Sequence, residues 1–486
     1  MFKTTFAFLL IFILSIHSSL SAQDESISVH KQHWQEYSHL AKQSSAAIAT
    51  DYEIAPLASR LETSLTRKVF GYLPDWQYKS ARNYLQYDLL THIAAFDFNV
   101  SASGAITDPA FWPWIDVMNA AHENGVKMIL CAVNFNADDI HNLLTNTTAK
   151  NNFFAQLKTK INAYSLDGVN IDFESLHTAD RGSLLNGFMA DLTAYMHQEF
   201  PGSEVSFAGP AVNWSGWDLS GLADACDYIF IMGYSFYGSW STTSGPCAPL
   251  TGPGKHITNT VEVQYADVTA NHPQKLILGV PYYGNRWDTV NNQAYSDIEA
   301  KSNSVFYASA VSEGESHGIL WDNISQTPWF PYQDAGDWHQ VWFDSRESLA
   351  QKYDLADSKN YLGVGMWALG YDGARTELWD ELRSRYLTDI EESEVPNYPA
   401  TFELQQNYPN PFNPTTVISY QLSVMSEVNL SIYSVLGQKV ATLVSGMQTA
   451  GEYKIEWDAS AFTSGIYYYS LHAGNYVKTY KMVLLK

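Results

Sequence analysis

Cysteine is nearly absent from this chain: Cys131, Cys226 and Cys247 are the only three in 486 residues. So few thiols exclude a disulfide framework as the main source of stability, and none has the paired spacing of a zinc site. Cys226 and Cys247 flank a predicted strand, and the sequence leaves open whether they pair or stay, like Cys131, as buried thiols. The 14 histidines are scattered and contain no His-Glu-x-x-His pair, so they read as surface or satisfied core residues, and neither a metal nor a cofactor is expected. Basic residues are scarce too. With 28 Lys+Arg against 51 Asp+Glu the formal charge is −23, which argues against nucleic acid or anionic lipid as a partner, since both demand a basic surface. Long apolar runs are also missing. The one candidate, residues 6–16, follows Met1-Phe2-Lys3 and precedes the mostly small residues 18–22, which reads as a secretory signal peptide over 1–22 and leaves no membrane span in the mature protein.

What is present, 46% hydrophobic and 16% charged residues, is ordinary for folded soluble protein, and the length calls for two domains plus extras. Residues 23–66 are polar and Ser/Ala-rich with an amphipathic helix around 30–47, and read as a leader segment outside the main fold. Beyond it, apolar strands at 69–72, 92–98, 126–133, 167–174, 204–208, 227–234, 275–281 and 362–369 alternate with helical stretches. This is the pattern of an α/β fold, a (β/α)8 TIM barrel over 67–387. Residues 285–345 are too long for a simple loop and predict a small insertion between strands seven and eight, walling one side of the cleft. An acidic, Pro-containing linker at 388–401 leads to short alternating strands at 402–486, a small all-β sandwich.

The densest chemical signal is Asp167-Gly168-Val169-Asn170-Ile171-Asp172-Phe173-Glu174. A strand alternates its side chains, so Val169, Ile171 and Phe173 face an apolar layer while Asn170, Asp172 and Glu174 line up on the other face. In a parallel strand covered by helices that second face is the barrel interior. Buried unpaired carboxylates are costly, so an inward row of them points to a site rather than a solvated surface.

This octapeptide resembles the Asp-Gly-x-Asp-x-Asp-x-Glu signature of glycoside hydrolase family 18, the retaining chitinases and their relatives, with Asn170 in place of the family's middle Asp. Met232-Gly233-Tyr234, Gly279-Val280-Pro281-Tyr282-Tyr283-Gly284 and Gly365-Met366-Trp367 resemble the family's sixth, seventh and eighth strand motifs. Two departures stand out: Ser235 replaces the acid that usually follows the tyrosine, and Ala132-Val133-Asn134-Phe135 replaces Ser-x-Gly-Gly at the end of strand three. The resemblance implies a (β/α)8 barrel and substrate-assisted hydrolysis. Glu174 would be the general acid and later the base; Asp172 would hold the acetamido N–H, and Tyr234 would donate to the acetamido oxygen. Trp367 would floor the reacting sugar, and Asn170 would donate a hydrogen bond to Asp172 from the substrate-binding row. Tyr283 and Trp287 are the further sugar platforms expected; Trp76, Trp112, Trp214 and Trp240 are the other aromatics that follow strands.

Gly363-Val364-Gly365-Met366-Trp367-Ala368 also fits a loose dinucleotide-binding pattern, but it lies inside an apolar strand where Met366 and Trp367 would block a pyrophosphate. In the tail, the run from Asn407-Tyr408-Pro409 to Thr415-Thr416 and the closing Gly465-Ile466-Tyr467-Tyr468 segment resemble the C-terminal sorting domain read by the type IX secretion machinery of Bacteroidota-like bacteria; a carbohydrate-binding module using Trp457 is the alternative. The expectation is an exported glycosidase acting on an N-acetylglucosamine-containing polysaccharide, chitin first. A peptidoglycan or N-glycan hydrolase, or a non-catalytic glycan binder on the same barrel, are the alternatives.

Overall fold

The computed structural model describes residues 28–41, 54–58, 65–300, 303–388, 402–422, 426–448, 451–473 and 476–486. The signal peptide expected at 1–22 and nearly all of the linker expected at 388–401 lie outside them. The chain forms two compact units, the first ending at Thr388 and the second beginning at Asp389.

The first unit is built on eight strands: β1 (Lys68–Pro74), β2 (His92–Val100), β3 (Lys127–Asn134), β4 (Gly168–Phe173), β5 (Glu204–Pro210), β6 (Tyr228–Met232), β7 (Leu276–Pro281) and β8 (Gly363–Trp367). Each pairs in parallel with the next, and β8 pairs with β1 to close the barrel. The alternation on β4 does what its sequence dictates. Phe173 packs outward near Phe153 and Phe188 of the covering helices Thr147–Tyr164 and Ser183–Glu199, with ring centroids 6.2 and 6.1 Å away. Asn170 and Asp172 turn inward and are wholly buried. The glycines on β7 and β8 serve packing: a Cβ on Gly279 or Gly365 would lie 2.3 or 2.4 Å from the Phe230 ring that fills the barrel between them. That use disposes of the dinucleotide pattern at 363–368.

Between β7 and β8 the expected insertion is a five-stranded antiparallel sheet, drawn from Tyr283–Thr289, Asn303–Phe306, Leu320–Asp322, Thr327–Asp334 and Asp337–Trp342, with the helix Tyr307–His317. It has its own small core of Trp287, Trp329 and Trp342, the last two stacked at 4.9 Å. All three cysteines are buried free thiols, so Cys226 and Cys247 do not pair.

One expectation fails outright. The leader helix, α1 (Val29–Ala41), does not lie outside the main fold but sits in the mouth of the barrel, with Val29, His30, His33 and Ala41 buried. The helical face that carries them, at spacings of three and four residues, is completed by Trp34 and Tyr37, and a face of that apolar and aromatic character needs a surface to cover it. Further along, residues 54–58 run beside the helix Ile115–Glu123, where Ala55 N–H donates to Asn119 and Ala58 N–H to the His122 carbonyl.

The second unit is two antiparallel sheets of three and four strands around a core that includes Phe412, Ile418, Tyr420, Trp457 and Tyr469. The strand Lys439–Gln448 belongs to the larger sheet. Trp457 is buried beside Phe412, Phe462 and Tyr467, so it is a core residue and not a sugar platform. The Asn/Pro run is pinned by Asn407, whose backbone N–H donates to the Tyr469 hydroxyl and whose amide donates to Pro409 O and Thr416 Oγ1. Among the described residues no helix is long and apolar enough to cross a membrane.

Candidate active site

The ends of β4, β6 and β8 bring Asp172, Glu174, Tyr234 and Trp367 to one place at the barrel mouth, and what joins them is a histidine. His30 of α1 places Nδ1 2.8 Å from Asp172 Oδ2 and Nε2 2.7 Å from the Tyr234 hydroxyl. Its ring lies flat on Trp367, with centroids 3.7 Å apart and planes 27° apart. The Glu174 carboxyl is 3.5 Å from the same Nδ1. Asp172 Oδ1 and Glu174 Oε1 are both buried without a hydrogen-bond partner among the described residues, which leaves acceptor capacity in the site unused.

Burial decides the protonation states here. It drives the His30 pKa down to about 4, against the pull of the Glu174 charge, so the imidazole is neutral at neutral pH. A neutral imidazole has one donor and one acceptor, and here the donor is Nδ1–H toward Asp172 while Nε2 accepts from the Tyr234 hydroxyl. The Tyr234 phenol is held well above its ordinary value by burial and then by the two nearby carboxylates, so it stays a donor. Asp172 is raised above the usual carboxylate range by burial. Glu174 is raised by burial and, on top of that, by the Asp172 charge, which favours a protonated acid near neutral pH.

A second histidine extends the arrangement. His33 Nδ1 accepts from the Trp367 indole N–H at 3.0 Å and lies 3.0 Å from the Tyr371 hydroxyl, and its Nε2 is 2.8 Å from Ser304 Oγ on the insertion sheet. Because an indole nitrogen only donates, Nδ1 is the bare nitrogen and Nε2–H donates to Ser304. Lys31 Nζ reaches the Phe135 carbonyl at 3.2 Å, and Tyr37 packs on Phe306 at 4.9 Å. The insertion thus does wall one side of the cleft, through Ser304 and Phe306. On the other side a cavity of about 1070 Å³ remains open past Glu174, lined among others by Phe135, Arg181, Trp214, Trp240 and Lys255.

Two residues expected in the substrate-binding set are placed elsewhere. Trp287 is wholly buried in the insertion core, and its indole N–H donates to the Gly245 carbonyl at 3.1 Å. It belongs to the alternate face of an antiparallel strand, which the insertion closes over with Trp329 and Trp342. Asn170 does not donate to Asp172. Its Oδ1 accepts from Tyr72 at 2.9 Å and its Nδ2 donates to Ser206 at 2.9 Å. Residues two apart on a strand are separated by roughly 6.6 Å of rise, whereas side chains from neighbouring and facing strands come closer. Asn170 therefore ties β4 to β1 and β5 below the carboxyl pair.

Tyr283 stays at the site: its ring meets His33 edge-on at 4.7 Å and its hydroxyl is 3.2 Å from Ser235 Oγ. Of the other aromatics, Trp76 and Trp112 are buried, while Trp214 and Trp240 line the open cavity. Sequence reasoning missed His30, His33, Tyr72, Ser304 and Tyr371. The findable signal was the aromatic face His30, His33, Trp34, Tyr37 at helical spacing.

His30, Asp172 and Glu174 also offer three potential metal-donor atoms within 4.8 Å of one another. Both imidazole nitrogens are already committed to Asp172 and Tyr234, so in this arrangement the group is closed by its own hydrogen bonds.

Comparison with known proteins accords with this geometry. The sequence model described as glycosyl hydrolases family 18 matches residues 68–372, and that of the secretion system C-terminal sorting domain matches residues 406–485. The chain is similar to the di-N-acetylchitobiase of Homo sapiens, at 26% identity over 307 residues that cover 56% of this chain and 76% of that protein. It is also similar to the cortical fragment-lytic enzyme of Bacillus subtilis (strain 168), at 24% identity over 295 residues covering 58% of this chain and 65% of that one. Among solved structures, the group IV chitinase of Ostrinia furnacalis shares the fold with a TM-score of 0.57 at 20% identity, over 65% of this chain and 99% of that one.

Proposed function

Because this chain belongs to glycosyl hydrolase family 18 and is a glycosidase, we propose that it hydrolyses β-1,4 bonds next to N-acetylglucosamine in chitin or chito-oligosaccharides, with the substrate's own 2-acetamido oxygen as nucleophile. The C-terminal sorting domain directs it through type IX secretion to the cell surface or the outside.

One observation carries the reading. Asp172 and Tyr234 hold the two nitrogens of a single five-membered ring, at 2.8 and 2.7 Å, above the face of Trp367. A carboxylate that accepts an N–H and a phenol that donates across so short a span suit an acetamido group, with N–H toward Asp172 and C=O toward Tyr234. Held that way, the carbonyl oxygen is in line for attack on the anomeric carbon. Glu174 gives its proton to the leaving oxygen and afterwards takes one from water. The acetamido oxygen displaces the leaving sugar, the ring so formed is opened by water, and the β configuration is kept.

The test is a proton NMR time course on chito-oligosaccharides beside fully deacetylated chitosan. The β anomer is expected first, the deacetylated polymer inert, and a thiazoline analogue of the cyclised intermediate inhibitory. An initial α anomer sinks the mechanism.

A second reading, peptidoglycan as substrate, is favoured by the open half of the cleft. Arg181 and Lys255 line it; Arg181 is held by the Leu176 and Ser215 carbonyls through Nε and Nη1, and among the described residues neither cation is in an ion pair, so their charge can meet the carboxylates of a cell-wall glycan. Digesting purified peptidoglycan in parallel and weighing the products separates the two.

A further inference from the structure

The residues that the proposed mechanism assigns to the sugar are occupied by a piece of the chain itself. We propose that the glycone half of the cleft is a binding site for α1, and that His30 stands there as a mimic of the substrate's acetamido group, making the leader an intramolecular inhibitor of the enzyme. The inference rests on the function proposed above for the same site.

The match is atom by atom. His30 Nδ1–H donates to Asp172 as an acetamido N–H would, Nε2 accepts from Tyr234 as an acetamido oxygen would, and the flat ring covers Trp367 as a sugar face would. A five-membered ring with two heteroatoms in this relation also has the outline of the cyclised intermediate, the species a site of this kind binds most tightly. His33 occupies the next position outward, taking the indole proton of Trp367 and donating to Ser304. Among the described residues, the titratable or polar groups that face His30, namely Asp172, Glu174, Tyr234, Tyr72 and His33, belong to the barrel mouth or to α1 itself. The seat is anchored beyond the histidines as well: Lys31 caps the Phe135 carbonyl, Gln32 reaches Ser304 at 3.3 Å, and Trp34 and Tyr37 pack on Phe135 and Phe306. A structural cap over the barrel needs apolar cover; it does not need a neutral imidazole reproducing a donor–acceptor pair. The open cavity past Glu174 gives the complementary fact, since α1 fills one half of the cleft and leaves the other empty. Helix and glycan therefore exclude each other on the Trp367 face, and hydrolysis requires that α1 leave.

Two measurements on the full chain test this. In the first, initial rates on a soluble chito-oligosaccharide are compared between the wild-type chain and the double variant His30→Ala/His33→Ala, with folding of both confirmed by circular dichroism. The variant is expected to be faster by about tenfold or more, because apparent affinity falls by the fraction of molecules whose site is free. Equal, measurable rates overturn the inference. The second needs no turnover: histidine ring nitrogens are followed by NMR in the wild-type chain. His30 is expected to stay neutral from pH 8 to pH 5, and on adding the thiazoline analogue to titrate near its ordinary value of about 6.5. A His30 that titrates near that value in the free protein shows α1 unseated and overturns the inference. A His30 that stays neutral until the analogue frees it supports the inference even if neither protein cleaves the oligosaccharide; that failure removes the functional reading alone.

Discussion

The barrel mouth and the five-stranded insertion each bury a tryptophan completely, and the two are buried for different reasons. Trp287 is enclosed by its own sheet: its indole N–H meets the Gly245 carbonyl, and Trp329 and Trp342 share its core. Trp367 owes part of its enclosure to the leader, since His30 covers one of its faces and His33 accepts its indole proton. The carboxylates repeat the contrast. Asn170 has both its amide oxygen and its amide nitrogen hydrogen-bonded, to Tyr72 and Ser206, whereas Asp172 and Glu174, two and four residues on, each keep a buried oxygen without a partner. Burial alone therefore does not separate core from site. What separates them is whether the barrel's own elements satisfy the group or leave it to something that can depart.

The largest effect expected from this contrast is on stability. Trp287→Ala empties a closed core and should lower unfolding free energy by about 3–5 kcal/mol, with kcat and KM of the surviving folded enzyme unchanged. Denaturant unfolding beside steady-state kinetics checks it; a selective rise in KM would return Trp287 to the substrate. Next comes Glu174→Gln, which cannot give up a proton. Turnover should fall by about 10²-fold or more, roughly 2.7 kcal/mol in the barrier, with the melting temperature held or raised. Near-normal turnover in a folded variant would take the acid role from Glu174. Smaller still is Asn170→Ala, which strands the Tyr72 and Ser206 hydroxyls inside the barrel. It should cost about 1–3 kcal/mol of stability, and the pH dependence of turnover should not move, because Asn170 makes no bond to Asp172.

The barrel was legible because its signals are periodic. Two-residue alternation at β4 and the spacing of eight apolar runs survive whatever the loops do, and Glu174, Asp172, Tyr234 and Trp367 inherit their convergence from strand ends that the motifs mark. Trp287 and Asn170 were misplaced for one reason: sequence tells which residues follow a strand, not which element closes over them. The inserted sheet closes over Trp287, and neighbouring strands claim Asn170. The leader was the deepest loss. Its polar, Ser/Ala-rich composition describes the segment as a whole, while the part that matters is one helical face of about four aromatic side chains, and the partners of that face are scattered along the chain from Tyr72 and Trp76 to Asp172 and Tyr371.

The smallest effect concerns Glu174 and what fills the space around it. Its pKa is raised first by burial, so the acid form persists through neutral pH and is lost as pH rises past the shifted value. Activity that needs the protonated acid should therefore show an alkaline limb. In the chain carrying His30→Ala and His33→Ala, the empty mouth admits water, which solvates the ionised form and lowers the pKa; bound glycan excludes that water and raises it again. Since kcat/KM reports the free enzyme and kcat the complex, the limb of kcat/KM should lie below that of kcat by about one unit, or 1.36 kcal/mol. Measuring both profiles between pH 5 and 10 decides it. Coincident limbs would mean that the mouth stays dry without α1, and that Trp367 and Glu174 are enclosed by the barrel in the way Trp287 is by its sheet.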